Sequence, residues 1–504
     1  MKKILLLLSI LFFAGFSYAQ NIDEEKLVSD FDAYVCKLQK EWNIPGMAVC
    51  AVVDGKVVYK KVFGVRSAGK ADTVDFESIF QTGSCTKAFS SVLAAILVDK
   101  GYFKWTDRVV KYLPDFKLYD SSVTQNITIE DLLSQYSGLP AYSQHFMMLF
   151  GYDKDFIINS MRYIKPIAGF KKEYGYQNNM YLVFGEVVKS ATGKSWNENI
   201  EEYILNTLGM KQTTTDLSGF MGSKDKTSGH YYAGGNLVPV ENSTYCDWPY
   251  TFAPAGAVNT NLDDMSKWLL FLTKAAAGEK ETIVSSENFH KILEKKIFVS
   301  KTFFDKTKNN YYCMGWRLSE YDPEDYYWHG GATDGEGAFV SFLKSGKAGI
   351  VVLMNLPNGR MADALTKKLY DLYYQKEPTD WGAVQLAKAN ESAKAKNKVL
   401  AKKPKTITPP LSLEKYAGNY KNILYGDAKI ILEDGNLKLS AGNFKTWIIL
   451  RHFNADKFNG YGVPGWSFKK PLVTFFTDSK RKNVTGFVVE SMTDGIETVF
   501  SRAE

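Results

Sequence analysis

Two short apolar runs, far apart in the chain, constrain the fold most strongly. Residues 46–53 (GMAVCAVV) and 349–354 (GIVVLM) contain only small, β-branched or aliphatic residues and cysteine. This pattern is typical of strands that are buried on both faces. A further strand-like run at 338–342 precedes the later one, and helical or turn-rich segments fill the region between. The order of strands, helices and strands predicts an α+β domain whose sheet combines both chain ends around a helical subdomain.

The composition changes after this first domain, which we assign to residues 20–375. Within the segment 376–410 alanine and lysine dominate from 386 to 405 and two prolines follow, which predicts an exposed helix and then a stiff linker. From 411 to 504, alternating segments such as Lys429–Leu432 and turns such as Asp434-Gly435 predict a small all-β, barrel-like domain.

The N-terminus has the pattern of a secretory signal peptide. Lysines at positions 2 and 3 precede an apolar run over 4–16 and the small-residue sequence Ser17-Tyr18-Ala19, which predicts a signal peptide over 1–19. The run is too short for a typical membrane-spanning helix. We therefore expect an exported protein, periplasmic or secreted, with no stable membrane span after cleavage. An uncleaved membrane anchor is the alternative.

Charge, histidine spacing and cysteine content exclude several classes of function. The net charge is +7 and no basic cluster with interleaved aromatic residues is present, so we expect no nucleic-acid partner. The five histidines lack metal-ligand spacing, and we expect no metal and no cofactor. Five widely spaced cysteines do not form a disulfide framework and allow at most one or two bridges.

A candidate nucleophile lies in the sequence Ser84-Cys85-Thr86-Lys87. In this S-x-x-K pattern the serine and the lysine lie on one face of a helix, where a partly desolvated lysine can activate the hydroxyl group. The pattern alone is weak, because six other pairs match it: Ser67/Lys70, Ser223/Lys226, Ser341/Lys344, Ser412/Lys415, Ser467/Lys470 and Ser479/Lys482.

The surroundings favour Ser84 over the other matches. It opens a long apolar segment that ends near Gly101 and is predicted to be a buried helix. A serine at a helix N-terminus lies among backbone N–H groups that stabilise developing negative charge. Cys85 is a possible rival nucleophile. We interpret it as a small buried residue, because one step along a helix turns its side chain about 100° away from Ser84.

Two stretches around this serine resemble a known family. Residues 80–116, ending in KYLPDF, and residues 127–140, ITIEDLLSQYSGLP, are similar to the nucleophile region of class C-type β-lactamases. The wider group comprises serine β-lactamases, penicillin-binding proteins, esterases and D-peptidases. The resemblance implies a β-lactamase/transpeptidase-like sheet flanked by helices over about residues 21–375.

The resemblance also implies two further motifs. Its Y-x-N motif is matched by Tyr176-Gln177-Asn178, with the phenol as a proton shuttle and the amide as a substrate ligand. The sequence at 420–422 also matches, but it lies in the β domain. The strand motif is matched by His329-Gly330-Gly331, and the N–H groups of Ser84 and Ala332 would form the oxyanion hole.

Three departures from the family pattern affect the expected chemistry. His329 replaces a lysine, which weakens the fixed positive charge for a β-lactam carboxylate and favours ester or peptide hydrolysis. Gln135 replaces a histidine and is expected, with Asn178, His329 and Gly331, to bind substrate. No separate carboxylate for deacylation is evident.

The sequence therefore predicts a serine hydrolase that forms an acyl-enzyme on Ser84 and acts on a small molecule or peptide. The substrate could be a D-amino-acid peptide, an ester or a β-lactam-like compound, with specificity set by loops at 142–155 and 218–250. One alternative is a non-hydrolytic penicillin-binding or sensor protein with the same pocket. Another places the main function in the C-terminal domain, as a binding module for a glycan or a protein. The oligomeric state is not determined by the sequence.

Overall fold

The computed structural model describes the chain from Asp23 onward, with gaps. It covers residues 23–145, 147–233, 235–241, 248–302, 305–400, 409, 411–443, 447–461, 471–489 and 499–503. The predicted signal peptide at 1–19 lies outside these ranges. Within them, no helix is long and apolar enough to cross a bilayer. The four cysteines in the described part of the chain are all unpaired: Cys36, Cys50, Cys85 and Cys313.

The first domain is built on an eight-stranded antiparallel sheet. The twelve strands of the domain, eight of which form this sheet, are β1 Gly46–Val53, β2 Lys56–Gly64, β3 Phe80–Gln81, β4 His230–Ala233, β5 Asn236–Pro239, β6 Asn259–Thr260, β7 Ile297–Lys301, β8 Asn309–Tyr312, β9 Arg317–Ser319, β10 Tyr326–Ala332, β11 Gly337–Leu343 and β12 Ala348–Met354. The sheet order is β2-β1-β12-β11-β10-β9-β8-β7, while β3 pairs with β6 and β4 with β5. Every residue of β1 is buried and Met47 lies opposite Met354 of β12. Strands from the two ends of the domain thus pair within one sheet, as the apolar runs predicted.

Helices cover both faces of this sheet. They are α1 Glu24–Glu41, α2 Thr86–Asp99, α3 Ser121–Asn126, α4 Ile129–Leu133, α5 Lys154–Ser160, α6 Asn179–Thr192, α7 Trp196–Ile200, α8 Asn206–Leu208, α9 Leu217–Gly222, α10 Trp248–Thr251, α11 Ala253–Gly256, α12 Leu262–Ala276, α13 Ser286–Ile292 and α14 Gly359–Tyr373. One face packs against α1 and α14, and the other against α12 and the helical subdomain. On that second side, Phe89 of α2 stacks on Trp268 at 3.9 Å. The predicted α+β class is confirmed.

The segment after the first domain begins with the helix α15, Trp381–Leu400. We predicted an exposed helix here, but its first turn packs against the first domain. Gly382 leaves room for Leu38 of α1, and the indole nitrogen of Trp381 donates to Asp371 at 2.6 Å. Gln385 is also buried and donates to Asp363 of α14 at 2.6 Å. These packed residues precede the Ala/Lys-rich stretch from 386 on which the prediction of an exposed helix rests.

The C-terminal domain is a closed antiparallel barrel of eight strands, which confirms the barrel-like prediction. Its strands are β13 Gly418–Asn422, β14 Gly426–Glu433, β15 Asn436–Ala441, β16 Ile448–Asn454, β17 Lys457–Tyr461, β18 Leu472–Thr477, β19 Val484–Val489 and β20 Phe500–Arg502. Aromatic rings fill its interior in edge-to-face and stacked pairs: Tyr416, Tyr420, Phe458, Phe475, Phe487 and Phe500. Side chains thus pack this small barrel from within.

Candidate active site

Ser84 lies where the chain enters α2. Residues Gly83–Cys85 form a 3₁₀ turn that continues into the helix, so Ser84 precedes the α-helix instead of opening it. Gly83 has a φ of +51°, and a Cβ atom there would lie 2.6 Å from the carbonyl oxygen of Ala332. Only glycine permits this backbone conformation together with such a close approach. The turn therefore holds Ser84 against the end of β10.

Lys87 is completely buried beside this serine. Its Nζ lies 3.3 Å from Ser84 Oγ, 2.7 Å from Asn178 Oδ1 and 3.0 Å from the carbonyl oxygen of Ala255. Burial, together with the charge of Arg317, holds the pKa of Lys87 well below its ordinary value. The oxygens of Asn178 and Ala255 can accept two N–H groups of this amine. Once the amine loses its third proton, its lone pair can accept from the Ser84 hydroxyl.

Tyr176 is the second polar group at the Ser84 hydroxyl. Tyr176 and Ser84 line the same cleft, and Lys87 Nζ lies 4.7 Å from the centroid of the phenol ring. Burial raises the pKa of Tyr176 well above its ordinary value, so the phenol keeps its proton. The site thus combines an amine whose lowered pKa favours the proton-accepting form with a neutral phenol, which can donate a proton.

Asn178 joins Lys87 to a histidine that sequence reasoning did not single out. The amide Nδ2 of Asn178 lies 2.9 Å from His145 Nδ1. Because the amide nitrogen is a donor, Nδ1 must accept, and a neutral imidazole then carries its proton on Nε2. The His145 ring packs edge to face on Trp248, with 5.3 Å between the ring centroids. The ring centroids of Tyr142 and Tyr176 lie 5.1 Å apart. The predicted specificity loops therefore supply one wall of the site.

The predicted strand motif forms the opposite wall. A Cβ atom on Gly331 would lie 2.7 Å from Ser84 N and 1.9 Å from the carbonyl oxygen of Thr82, so the strand and the nucleophile turn are in backbone contact. Gly331, Ala332 and Ser84 all line the same cleft. This arrangement places Ala332, predicted with Ser84 to form the oxyanion hole, next to the turn that carries the serine.

The fixed positive charge of the cleft comes from Arg317. Burial, with the charges of Lys87 and Arg317, holds the pKa of His329 well below its ordinary value, so this imidazole is neutral. Arg317 begins β9 directly opposite Trp328, and its guanidinium donates to the Tyr174 hydroxyl at 2.7 Å. Within the described residues, the groups that act on Arg317 electrostatically are tyrosines, not carboxylates. The sequence offers no pattern that singles out this arginine.

Gln135 does not line the cleft, although we predicted that it binds substrate. Its side chain is 1% exposed, and its Nε2 donates to the carbonyl oxygen of Gln177 at 3.0 Å. Its Oε1 accepts from the backbone N–H of the same residue. Both ends of the amide are thus occupied by the segment that carries Tyr176. These contacts support a role in positioning that segment.

The rival nucleophiles lie in other surroundings. Ser341 is buried in β11, where its hydroxyl donates to the carbonyl oxygen of Tyr327 at 2.9 Å. Ser479 lies on an exposed turn of the barrel. Burial raises the pKa of the Cys85 thiol, whose Sγ points at the carbonyl oxygen of His329 at 3.3 Å. A protonated thiol aimed at the strand is a packing group and not a nucleophile.

These walls enclose a cleft of about 400 Å³, within the usual size range for small-molecule sites. In the described part of the chain, none of its lining residues is a carboxylate, and no three His, Cys, Asp or Glu residues cluster as metal ligands. The principal residues of the lining are Ser84, Tyr142, His145, Tyr176, Asn178, Trp248, Phe252, Arg317, His329, Gly331, Ala332 and Asn358.

The chain is similar to several known proteins. An unguisins hydrolase of Aspergillus campestris is 29% identical over 81% of this chain and 79% of its own length. Penicillin-binding protein 4 of Amycolatopsis lactamdurans is 26% identical over 68% of this chain and 86% of its own. The solved structure of an octameric penicillin-binding protein homologue from Pyrococcus abyssi covers 94% of this chain and 99% of its own, with a TM-score of 0.62 and 20% identity. The last comparison supports the fold alone.

Two family models match the chain. Residues 402–499 match a domain of unknown function (DUF3471). Residues 31–375 match the model described as Beta-lactamase, which contains the sheet, the helical subdomain and the whole cleft. The chain therefore belongs to the β-lactamase family, with the β-lactamase/transpeptidase fold in its first domain and a barrel of unknown function after it.

Proposed function

We propose that this protein is an exported serine hydrolase that forms an acyl-enzyme on Ser84. The observation that carries the proposal is the environment of Lys87. Its Nζ is fully buried, lies within hydrogen-bond distance of Asn178 Oδ1, the Ala255 carbonyl oxygen and Ser84 Oγ, and has a pKa held well below its ordinary value. A buried cationic side chain without a carboxylate partner costs stability and is typical of catalytic sites.

Acylation would then proceed as follows. Ser84 Oγ attacks the substrate carbonyl as its proton passes to Lys87 Nζ, and the N–H groups of Ser84 and Ala332 stabilise the oxyanion. The Tyr176 phenol donates its proton to the leaving nitrogen or oxygen and receives the proton held by Lys87 in exchange. The carbonyl-to-leaving-group bond breaks, and Lys87 is again neutral.

Deacylation would use the same pair of groups in reverse. No lining residue of the described cleft is a carboxylate, so Lys87 and Tyr176 are the groups placed to accept a proton from the attacking water. The water oxygen bonds to the acyl carbon, the ester bond to Ser84 Oγ breaks, and the serine oxygen receives the proton taken from the water.

We infer that the preferred substrate carries a carboxylate close to the scissile bond. Arg317 supplies a permanent positive charge in the cleft, surrounded by aromatic rings at 5.3 to 5.9 Å. A substrate carboxylate would pair with it through charge-assisted hydrogen bonds. Peptides with a free terminal carboxylate and β-lactam-like compounds have this group, and simple neutral esters lack it. Two relatives are named penicillin-binding protein and unguisins hydrolase, which supports the proposal of a hydrolase that can take β-lactam-like compounds.

Active-site labelling tests the hydrolase proposal. The mature protein is incubated with a fluorophosphonate and, separately, with a fluorescent penicillin. We expect one label per chain on the wild type and none on Ser84→Ala. Ser479→Ala, an exposed match to the same S-x-x-K pattern, is the matched control and is expected to label like the wild type. Equal labelling of wild type and Ser84→Ala would overturn the proposal.

A non-hydrolytic penicillin-binding or sensor protein is the second candidate, since its pocket would acylate through the same Ser84 and Lys87. Intact mass spectrometry after mixing with a slight excess of substrate separates the two. A hydrolase returns to its free mass as product accumulates, whereas a sensor keeps the acyl adduct. Export is tested by sequencing the N-terminus of the protein from extracellular and periplasmic fractions, where a chain that begins at residue 20 is expected.

A further inference from the structure

A tyrosine of the first domain is inserted into the C-terminal barrel. The hydroxyl of Tyr152 donates to the carbonyl oxygen of Tyr425 at 2.6 Å, and the side chain is 7% exposed. Two barrel glycines form the slot around it. A Cβ atom on Gly426 would lie 2.5 Å from the Tyr152 hydroxyl, and one on Gly442 would lie 2.6 Å from its ring. The barrel therefore leaves out two side chains where this ring enters.

The same tyrosine is packed firmly on its own domain. Its ring stacks on Phe156 of α5 at 3.9 Å and 11° between planes. Gln144 binds the same helix. Its Nε2 donates to the backbone oxygen of Ile157 at 3.0 Å and to the hydroxyl of Ser160 at 2.6 Å. The barrel, Tyr152, α5 and Gln144 thus form one continuous set of contacts.

Gln144 lies next to the residues that shape the cleft. It directly precedes His145, whose Nδ1 meets Asn178, the acceptor for Lys87. Tyr142, two positions before Gln144, donates its backbone N–H to the Tyr176 carbonyl oxygen at 2.7 Å. The cleft wall at 142–145 is therefore fastened on one side to the catalytic groups and on the other, through α5, to the barrel.

We propose that the C-terminal barrel is a clamp that holds the 142–153 segment in its active conformation, with Tyr152 as the positioning residue. The clamp gives the domain of unknown function a role inside the hydrolase, where it acts through His145 and Asn178 on the orientation of Lys87. This role differs from that of an independent glycan- or protein-binding module, the alternative for the C-terminal domain that the sequence left open. A module joined only by a linker would not need a slot shaped for a ring of the first domain. The effect on catalysis rests on the proposed function, but the clamp itself does not.

Two glycines of the barrel provide a matched test in the full chain. Gly442→Ala and Gly435→Ala both place a side chain at positive φ, +61° and +70°, but only position 442 touches Tyr152, because nothing lies within 4 Å of a Cβ atom at position 435. Hydrogen exchange is measured by mass spectrometry on peptides covering 142–153. We expect about tenfold faster exchange in Gly442→Ala and wild-type exchange in Gly435→Ala.

A double substitution shows whether the effect passes through the ring. In the Tyr152→Ala background the clamp is already lost, so adding Gly442→Ala should change exchange at 142–153 no further. Equal exchange in the wild type, Gly442→Ala and Tyr152→Ala would overturn the clamp. If Gly442→Ala does not fold, Tyr152→Phe decides, since it removes only the hydroxyl bond to Tyr425. It is then expected to give about threefold faster exchange, and unchanged exchange would count against the proposal.

The rate of fluorophosphonate labelling measures the consequence for Ser84. We expect labelling about tenfold slower in Gly442→Ala and Tyr152→Ala, with wild-type rates in Gly435→Ala. If the wild type does not label at all, the proposed hydrolase function fails while the exchange experiment still tests the clamp. If exchange accelerates but the labelling rate is unchanged, the clamp stands as a structural contact and its role in orienting Lys87 is wrong.

Discussion

The cleft of the first domain and the interior of the barrel are both rich in tyrosine, and both contain a Y-x-N sequence. In the cleft, Tyr176 lines the same wall as Ser84, and its ring lies 4.7 Å from the Nζ atom of the buried Lys87. In the barrel, Tyr420 donates to the carbonyl oxygen of Tyr416 at 2.7 Å and packs on Phe487. The same pattern is a catalytic candidate in one place and a packing element in the other.

The difference lies in the buried cations. The cleft buries Lys87 and the guanidinium of Arg317, whereas in the described barrel Arg502 is exposed and donates to the backbone oxygens of Lys415 and Ala417. Burying a charged group without a carboxylate destabilises a fold, so such groups persist where function requires them. The contacts inside the barrel favour folding stability, whereas the buried basic groups of the cleft reduce it. Each prediction below tests that contrast.

The largest expected effect is that of Lys87→Met. Methionine has a similar length, so the core stays filled, but kcat/KM should fall by at least about 10³-fold because the base is lost. Thermal stability near neutral pH should rise, since a desolvated amine is removed. Lys421→Met, in the exposed centre of the barrel Y-x-N, should change neither quantity. Hydrolysis assays and thermal unfolding of both variants check this, and a loss of stability in Lys87→Met would contradict it.

The stability gain of Lys87→Met should also depend on pH. Because the pKa of Lys87 is lowered on folding, the unfolded chain binds more protons up to its ordinary pKa of 10.5, so this group makes the wild type more stable as pH rises. The difference in stability between Lys87→Met and wild type should therefore shrink from neutral to alkaline pH.

A reciprocal result is expected for the two tyrosines. Tyr176→Phe should lower kcat by about 10² to 10³-fold with little change in stability, because it removes a proton donor from the reaction. Tyr420→Phe should leave kcat unchanged and lower stability by about 1 kcal/mol, because the Tyr416 carbonyl loses its buried partner. Urea unfolding and steady-state kinetics of both variants measure the four values. Similar losses of kcat in the two variants would refute the contrast.

Arg317→Met tests the charge of the cleft. KM for a substrate with a carboxylate should rise by about 10 to 100-fold, while KM for a neutral p-nitrophenyl ester should stay within about twofold. Arg502→Met removes an exposed barrel arginine and should alter neither KM. Equal changes for charged and neutral substrates in Arg317→Met would show that the guanidinium does not bind the carboxylate.

The smallest expected effect is a shift in the pH profile. Activity should rise with pH as Lys87 loses its proton, at a midpoint well below the ordinary lysine pKa. Burial is the main cause of the lowered pKa and the charge of Arg317 contributes further. Arg317→Met should therefore move the acid limb of kcat/KM to higher pH, by less than about one unit. A shift to lower pH would contradict the assigned electrostatics.

Sequence patterns were most informative where function and structure depend on neighbours in the chain. The apolar runs at 46–53 and 349–354 predicted buried strands of one sheet, and the alternation after residue 411 predicted the barrel. Ser84 and Lys87 could be identified because their spacing and the apolar helix after them are local properties. Even there, the 3₁₀ turn at Ser84 was not predicted, since it depends on the contact between Gly83 and Ala332.

The sequence by itself determined the class of fold, the order of the domains and the candidate pair of Ser84 and Lys87, because periodicity and short spacing act over a few residues. Only the tertiary structure decided that Gln135 supports the Tyr176 segment, that Arg317 supplies the charge and that Tyr152 enters the barrel. Each of these contacts joins residues from separate elements. The burial of a side chain and the charges around it are set only when the fold brings those elements together. A local sequence pattern therefore does not predict them.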